Sequence, residues 1–100
     1  MSTFEQIEVS TLRSWLNNGD VTVLDIRDEG SFDEEHVPGA VCLQKENIES
    51  FIERTDKNKP LVCYCYHGIS SQSAAQYFID RGFKKAYSMV GGYEQWRCLV

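Results

Sequence analysis

The sequence predicts a small α/β domain of three layers, with a parallel-rich central sheet and helices on both faces. Two nearly continuous apolar runs, residues 21–26 (VTVLDI) and 61–65 (LVCYC), have the pattern of strands covered on both sides. Around them, apolar residues recur three and four apart, so strands and helices alternate along the chain. The 100 residues, 42% hydrophobic and 25% charged, suffice for one core, which buries roughly 60–65% of the surface an unfolded chain exposes. Residues 1–100 are therefore expected to form a single domain, without repeats, linkers or low-complexity tracts.

Ile7 and Val9 alternate with polar neighbours and mark a short strand. Ser10 then stands as an N-cap for a helix carrying Leu12, Trp15 and Leu16 and stopping near Gly19. The run 21–26 follows as a central strand. Asp25, Arg27 and Asp28 lie at its carboxyl end, which in open α/β sheets borders the ligand crevice. Within residues 30–39 (GSFDEEHVPG), Phe32 is the one apolar anchor, and a turn of helix beginning after Ser31 is expected to stop before Pro38. Residues 41–43 supply a short strand, and Ile48, Phe51 and Ile52 a short amphipathic helix, closed by the loop 55–60. The second buried strand, 61–65, leads into a loop containing Gly68. Serines then open a helix carrying Ala74, Ala75, Tyr77, Phe78 and Ile79, which closes at Gly82. Residues 83–89 read as the last strand, Gly91 and Gly92 as a turn, and residues 93–96 as the start of a final helix.

Composition excludes several functions. The net charge is −5 and the ten Lys and Arg residues are scattered, which argues against a nucleic-acid partner. A small anion would likewise meet an unfavourable long-range field and would have to be held by local groups such as oriented amides. No run approaches the roughly 18 apolar residues of a membrane span, and acidic and polar residues occupy the first twenty positions. A cytoplasmic protein without a membrane partner is expected, in which Cys42, Cys63, Cys65 and Cys98 are reduced thiols and not a disulfide framework.

Among these thiols Cys65 differs by position. It closes a buried strand, and the next helix aims its N-terminus back at it, a setting that favours a thiolate or another anion. Cys42, Cys63 and Cys98 read as packing residues, the usual role of an unpaired cysteine. Cys63, Cys65 and His67 lack the further ligand pair that would complete a zinc site. A Cys63–Cys65 disulfide across two residues of one strand would be strained. A cysteine phosphatase shares the strand-cradle-helix plan but needs an arginine fork; in the CX5R pattern that residue falls at Ser71, and no arginine stands between Cys65 and Arg81. His67 is either a general base or a solvent-facing loop residue, and His36 is expected to tie its turn to the backbone. Arg27 either pairs with Asp25, Asp28 or Glu29 or borders the pocket, with the structural role favoured.

Three ordered motifs, DIRDEGSFDEEHVPGA (residues 25–40), CYHGISS (65–71) and YSMVGGYEQW (87–96), span nearly the whole chain and resemble the rhodanese (thiosulfate sulfurtransferase) family. The likeness is greatest to small single-domain members that also lack the loop arginine; Ile69 departs from them by standing where they carry a polar residue. The resemblance implies a rhodanese-like fold, with a few residues beyond Val100. It also implies that Cys65 attacks the sulfane sulfur of thiosulfate, releases sulfite and holds the sulfur as a persulfide for cyanide, a small thiol or a thioredoxin-like acceptor. The amides of Tyr66, His67, Gly68, Ile69 and Ser70, with Ser71 opening the helix, would stabilise that persulfide without a metal or organic cofactor. A non-catalytic binding or carrier module of the same fold is the alternative, and a cysteine phosphatase a more distant one.

Overall fold

The computed structural model describes residues 3–45 and 47–99. They form a five-stranded parallel sheet flanked by helices: β1 (Glu5–Ile7), α1 (Val9–Asn18), β2 (Thr22–Asp25), α2 (Glu29–Glu34), β3 (Val41–Cys42), a 3₁₀ turn (Leu43–Lys45), α3 (Ile48–Arg54), β4 (Leu61–Tyr64), α4 (Ser70–Asp80), β5 (Ala86–Met89) and α5 (Gly92–Leu99). The strand order is β1-β5-β4-β2-β3, every neighbouring pair being parallel. The α/β fold expected from the alternating pattern is the one observed, and β4, the most apolar run, occupies the centre.

Side chains of β4 alternate between two cores. Val62 and Tyr64 join Val9 and Leu12 of α1 and Tyr93 and Trp96 of α5, while Leu61 and Cys63 join Phe51 and Ile52 of α3 and Ala75, Phe78 and Ile79 of α4. A strand buried on both faces cannot alternate apolar with polar, which is why LVCYC reads as an unbroken run. Phe78 meets Phe51 and Phe83 edge-on, with centroids 5.9 and 5.4 Å apart. Fully burying one such ring stabilises the fold by roughly 1.5–3 kcal/mol. No described helix is long and apolar enough to cross a membrane.

The structure corrects several boundaries. Val9 belongs to α1, whose N-cap is Glu8 without a side-chain bond, so Ser10 is a helical residue and not the cap. At the other end Gly19 closes α1 as expected, in the left-handed conformation. Helix α2 begins at Glu29, ahead of Ser31, because the Asp28 carboxylate accepts the Ser31 amide and caps it. Residue 43 lies in the 3₁₀ turn, outside β3, and β5 begins only at Ala86.

Connections from β2 and β4 leave in opposite directions, to β3 at one edge and to β5 on the other side. The carboxyl ends of these two neighbouring strands therefore diverge and open a crevice, the position at which open α/β sheets bind ligands. Residues 26–28 descend into it from β2 and residues 65–70 from β4.

Candidate active site

That crevice is an open cavity of about 460 Å³ lined by Ile26, Arg27, Asp28, Cys65, Tyr66, His67, Ile69 and Ser70. Cys65 lies one residue past β4, on the side of the sheet that faces α4. It is only 8% exposed, so the thiol sits at the floor of the cavity and not on the exposed setting that its loop position suggests.

The sulfur is held by the start of α4. The N-cap of this helix is Ile69, which has no side-chain acceptor, and the first amides of the helix would otherwise lack a partner. Cys65 Sγ fills that role: it accepts the Ser71 amide at 3.4 Å and the Gly68 amide at 3.2 Å, and Ser71 Oγ stands 3.5 Å away. Burial alone would raise the Cys65 thiol. The Ser71 hydroxyl and the amides of Ser71, Gly68 and His67 outweigh it, and the net shift is downward.

Backbone geometry explains the glycines around the loop. Gly68 has φ +83°, and a Cβ there would lie 2.8 Å from the Gly91 nitrogen and 2.9 Å from the Met89 oxygen. Helix α5 grips the loop from the other side, with the Tyr93 amide donating to the Cys65 carbonyl at 2.8 Å and the Glu94 amide to the Tyr66 carbonyl at 3.0 Å. Gly92, at φ +61°, lets these groups approach, since a Cβ would fall 2.5 Å from both carbonyl oxygens. The segment YSMVGGYEQW, legible in sequence only as strand, turn and helix, is thus the clamp on the cysteine loop.

Arg27 takes the structural role. Its Nε and Nη2 donate to the Asp25 carboxylate, at 2.7 Å for the shortest contact, Nη2 also donates to the Glu35 carbonyl at 2.6 Å, and the guanidinium lies 4.1 Å from the Tyr93 ring centroid. Burial opposes this charge, but Asp25 more than compensates and the pKa is raised. Tyr64 completes the network by donating to Asp25 Oδ2 at 2.6 Å and accepting the Val37 amide at 3.1 Å. Arg27 also borders the cavity, so both roles considered for it meet in one residue, although its charge is already balanced by Asp25.

The remaining site residues separate clearly. Tyr66 is exposed and its hydroxyl is hydrogen-bonded to Ser31 of α2, which joins the two walls of the crevice. His67 and Ser70 are exposed at the mouth, and Ile69 is 74% exposed. Gly68 and Ser71 are buried beneath the sulfur. His36 fulfils its expected part, with Nδ1 2.7 Å from the Phe32 carbonyl and its ring stacked on Phe32. Cys63 is buried in the α3/α4 core while His67 faces solvent, so Cys63, Cys65 and His67 do not converge. Cys42 is buried, but Cys98 is exposed on α5 and is not the packing residue expected. Ser88, opposite Cys63 in the β4–β5 register and fully buried, reaches Ser71 Oγ at 2.7 Å. Sequence reasoning passed over it, although a serine inside an otherwise apolar buried strand is the signal that marks it.

Fold and site together define an α/β domain that presents a buried cysteine in an amide cradle at its switch-point crevice. Comparison with known proteins places it further: the rhodanese-like domain family matches residues 8–98, and the chain belongs to that family. It is 45% identical over 96 residues to the thiosulfate sulfurtransferase GlpE of Shewanella oneidensis, covering 96% of this chain and 95% of that one. It is 42% identical over 92 residues to the thiosulfate sulfurtransferase GlpE of Coxiella burnetii, covering 90% and 86%. The rhodanese-like domain of an Anabaena protein superposes with a TM-score of 0.82 at 22% identity, covering 99% of this chain and 76% of that one.

Proposed function

We propose that this chain is a thiosulfate sulfurtransferase working by double displacement through Cys65. The observation that carries the proposal is the sulfur of Cys65 standing as the acceptor for the uncapped start of α4, where amides favour the anionic thiolate over the thiol. The likeness to thiosulfate sulfurtransferases over nearly the whole chain supports the same reaction.

In the first half-reaction the Cys65 thiolate attacks the sulfane sulfur of thiosulfate. A bond forms between Sγ and that sulfur, the sulfur–sulfur bond of thiosulfate breaks, and its electron pair leaves with sulfite. The product is a Cys65 persulfide whose terminal sulfur keeps the negative charge. The amides of His67 and Gly68 and the first turn of α4 stabilise this charge as they stabilised the thiolate. In the second half-reaction an acceptor attacks the terminal sulfur, the new sulfur–sulfur bond breaks, and its electron pair returns to Sγ. Cyanide leaves as thiocyanate; a small thiol or a thioredoxin-like protein thiol would leave as a persulfide. The cysteine alone carries the transferred atom, so the cycle is closed without a metal or organic cofactor.

Tyr66, Ile69 and Ser70 line the approach, and Arg27 holds the opposite wall through Asp25 and Glu35. The four free thiols fit a reducing, cytoplasmic setting. Steady-state assays with thiosulfate and cyanide test the proposal. Parallel double-reciprocal lines with loss of thiocyanate production in Cys65→Ser are expected. Intersecting lines, or activity that survives this substitution, would refute double displacement through Cys65. A persulfide that forms but is never passed on would instead favour a carrier.

A further inference from the structure

We propose that Ser88 is a positioning residue for Cys65, acting through Ser71 in a buried chain of two hydroxyls. The inference rests on Cys65 being the reacting group and adds to it a part for β5.

The geometry is a line of three atoms. Cys65 Sγ lies 3.5 Å from Ser71 Oγ, which lies 2.7 Å from Ser88 Oγ. Ser71 and Ser88 are fully buried, so neither hydroxyl can turn to bulk water. When Cys65 is a thiol, its S–H can donate to Ser71 Oγ while the Ser71 hydroxyl donates to Ser88. When Cys65 is a thiolate, or a persulfide with charge on sulfur, Ser71 must donate to sulfur. Its oxygen then needs a donor, and Ser88 is the hydroxyl placed to supply one. Both dipoles then point towards the negative charge, and in a low-dielectric interior successive hydrogen bonds reinforce one another. Removing Ser88 leaves the Ser71 hydroxyl without its neighbour and takes away the second dipole.

Position on the sheet supports the pairing. Ser88 stands opposite Cys63 in the β4–β5 register and faces α4, as Ala86 does two residues earlier. An apolar side chain would suit the packing of this position, yet a serine occupies it and its hydroxyl is hydrogen-bonded to that of Ser71. The titratable groups around the sulfur are Cys63 one layer below, Tyr66 and His67 in the loop, and Arg27 and Asp28 across the cavity. The first turn of α4 brings none against it, and Tyr87, the titratable residue of β5, points to the opposite core.

The test is the pH dependence of Cys65 alkylation by iodoacetamide, followed by mass spectrometry of the Cys65 peptide so that exposed Cys98 does not interfere. Ser88→Ala is expected to move the alkylation midpoint up by roughly half a pH unit, the size of one modest hydrogen-bond contribution. Ser88→Thr, which keeps a hydroxyl on a β-branched strand residue, should restore it. Ser71→Ala should move it further than Ser88→Ala. An unchanged midpoint in Ser88→Ala beside a shift in Ser71→Ala would overturn the inference and leave Ser88 a packing residue. Equal shifts in Ser88→Ala and Ser88→Thr would overturn it too, because the hydroxyl would then not matter. If the unmodified protein shows no midpoint below that of an ordinary thiol, the sulfurtransferase reading of Cys65 fails first, and the two failures are told apart.

Discussion

Cys63 in β4 and Cys65 just past its end lie two residues apart on the same side of the sheet, and their surroundings make them chemically opposite. Cys63 is enclosed by Leu24, Phe51, Leu61, Ala75 and Phe78, and burial pushes its thiol up to about 12, with Cys65 adding to the shift. Cys65 is also buried, yet its pKa falls, because the Ser71 hydroxyl and three amides outweigh the desolvation that acts on both. Burial alone therefore does not decide whether a thiol is inert. What decides is whether hydrogen-bond donors are turned towards the sulfur, and one step beyond the end of β4 the Ser71 hydroxyl and the loop amides are.

The largest expected effect comes from disturbing the grip of α5 on that turn. Gly92→Ala would push a methyl group to 2.5 Å from the Cys65 and Tyr66 carbonyl oxygens at a left-handed φ. A stability loss of about 3 kcal/mol is expected, with sulfur transfer falling further than global unfolding explains, because the displaced carbonyls carry the cradle with them. Thermal melts beside thiocyanate assays separate the two, and a stable, fully active Gly92→Ala protein would show that the cradle does not depend on the clamp.

A smaller effect separates the two cysteines by pH. The folded value of Cys63 lies above its unfolded value of 9.0, so its stabilising contribution is complete below pH 9 and is lost as pH rises towards 12. The folded value of Cys65 lies below 9.0, so its contribution is present above pH 9 and fades as pH falls through the folded value. Urea midpoints from about pH 6 to about pH 11 should therefore show a shallower alkaline decline in Cys63→Ala, over the background set by Tyr64, Tyr87 and Tyr93, which burial also raises. Cys65→Ala should change only the limb below pH 9. Identical profiles for the two variants would erase the contrast.

The smallest effect is expected at Ile69. Its side chain is 74% exposed, so Ile69→Asn should shift stability by no more than about 0.5 kcal/mol. Persulfide formation from thiosulfate should be unchanged, since the sulfur is held by the Ser71 hydroxyl and the loop amides, while the KM for a thiol acceptor changes. A variant that gained large turnover from this substitution would support the view that the natural loop is adapted to holding sulfur more than to passing it on.

Much of this architecture could be read before any coordinates. Continuous apolar runs at 21–26 and 61–65 identified the two interior strands because burial on both faces leaves no room for polar alternation. The position of Cys65 between such a strand and a helix start identified the candidate nucleophile. Harder to read were features made by contacts between distant segments. Ser10 is a better cap by composition than Glu8, but tertiary packing of Val9 into the core sets the start of α1. Ser88 belongs to the site because β5 pairs with β4, and Gly92 because α5 docks on the loop; neither relation exists along the chain. Arg27 could be placed at the crevice from its position after β2, but its choice of Asp25 over Asp28 follows from the buried pocket that Tyr64 and Tyr93 build around it. Cys98 was misjudged because the exposed side of α5 depends on which face meets α1.

The account stands most directly on the mass of the intact protein after incubation with thiosulfate. The reduced protein should gain the mass of one sulfur, mapped to the Cys65 peptide, removed by cyanide and absent in Cys65→Ser, while Cys63 stays unmodified. No gain in mass, or a sulfur carried by Cys63 or Cys98, would contradict it.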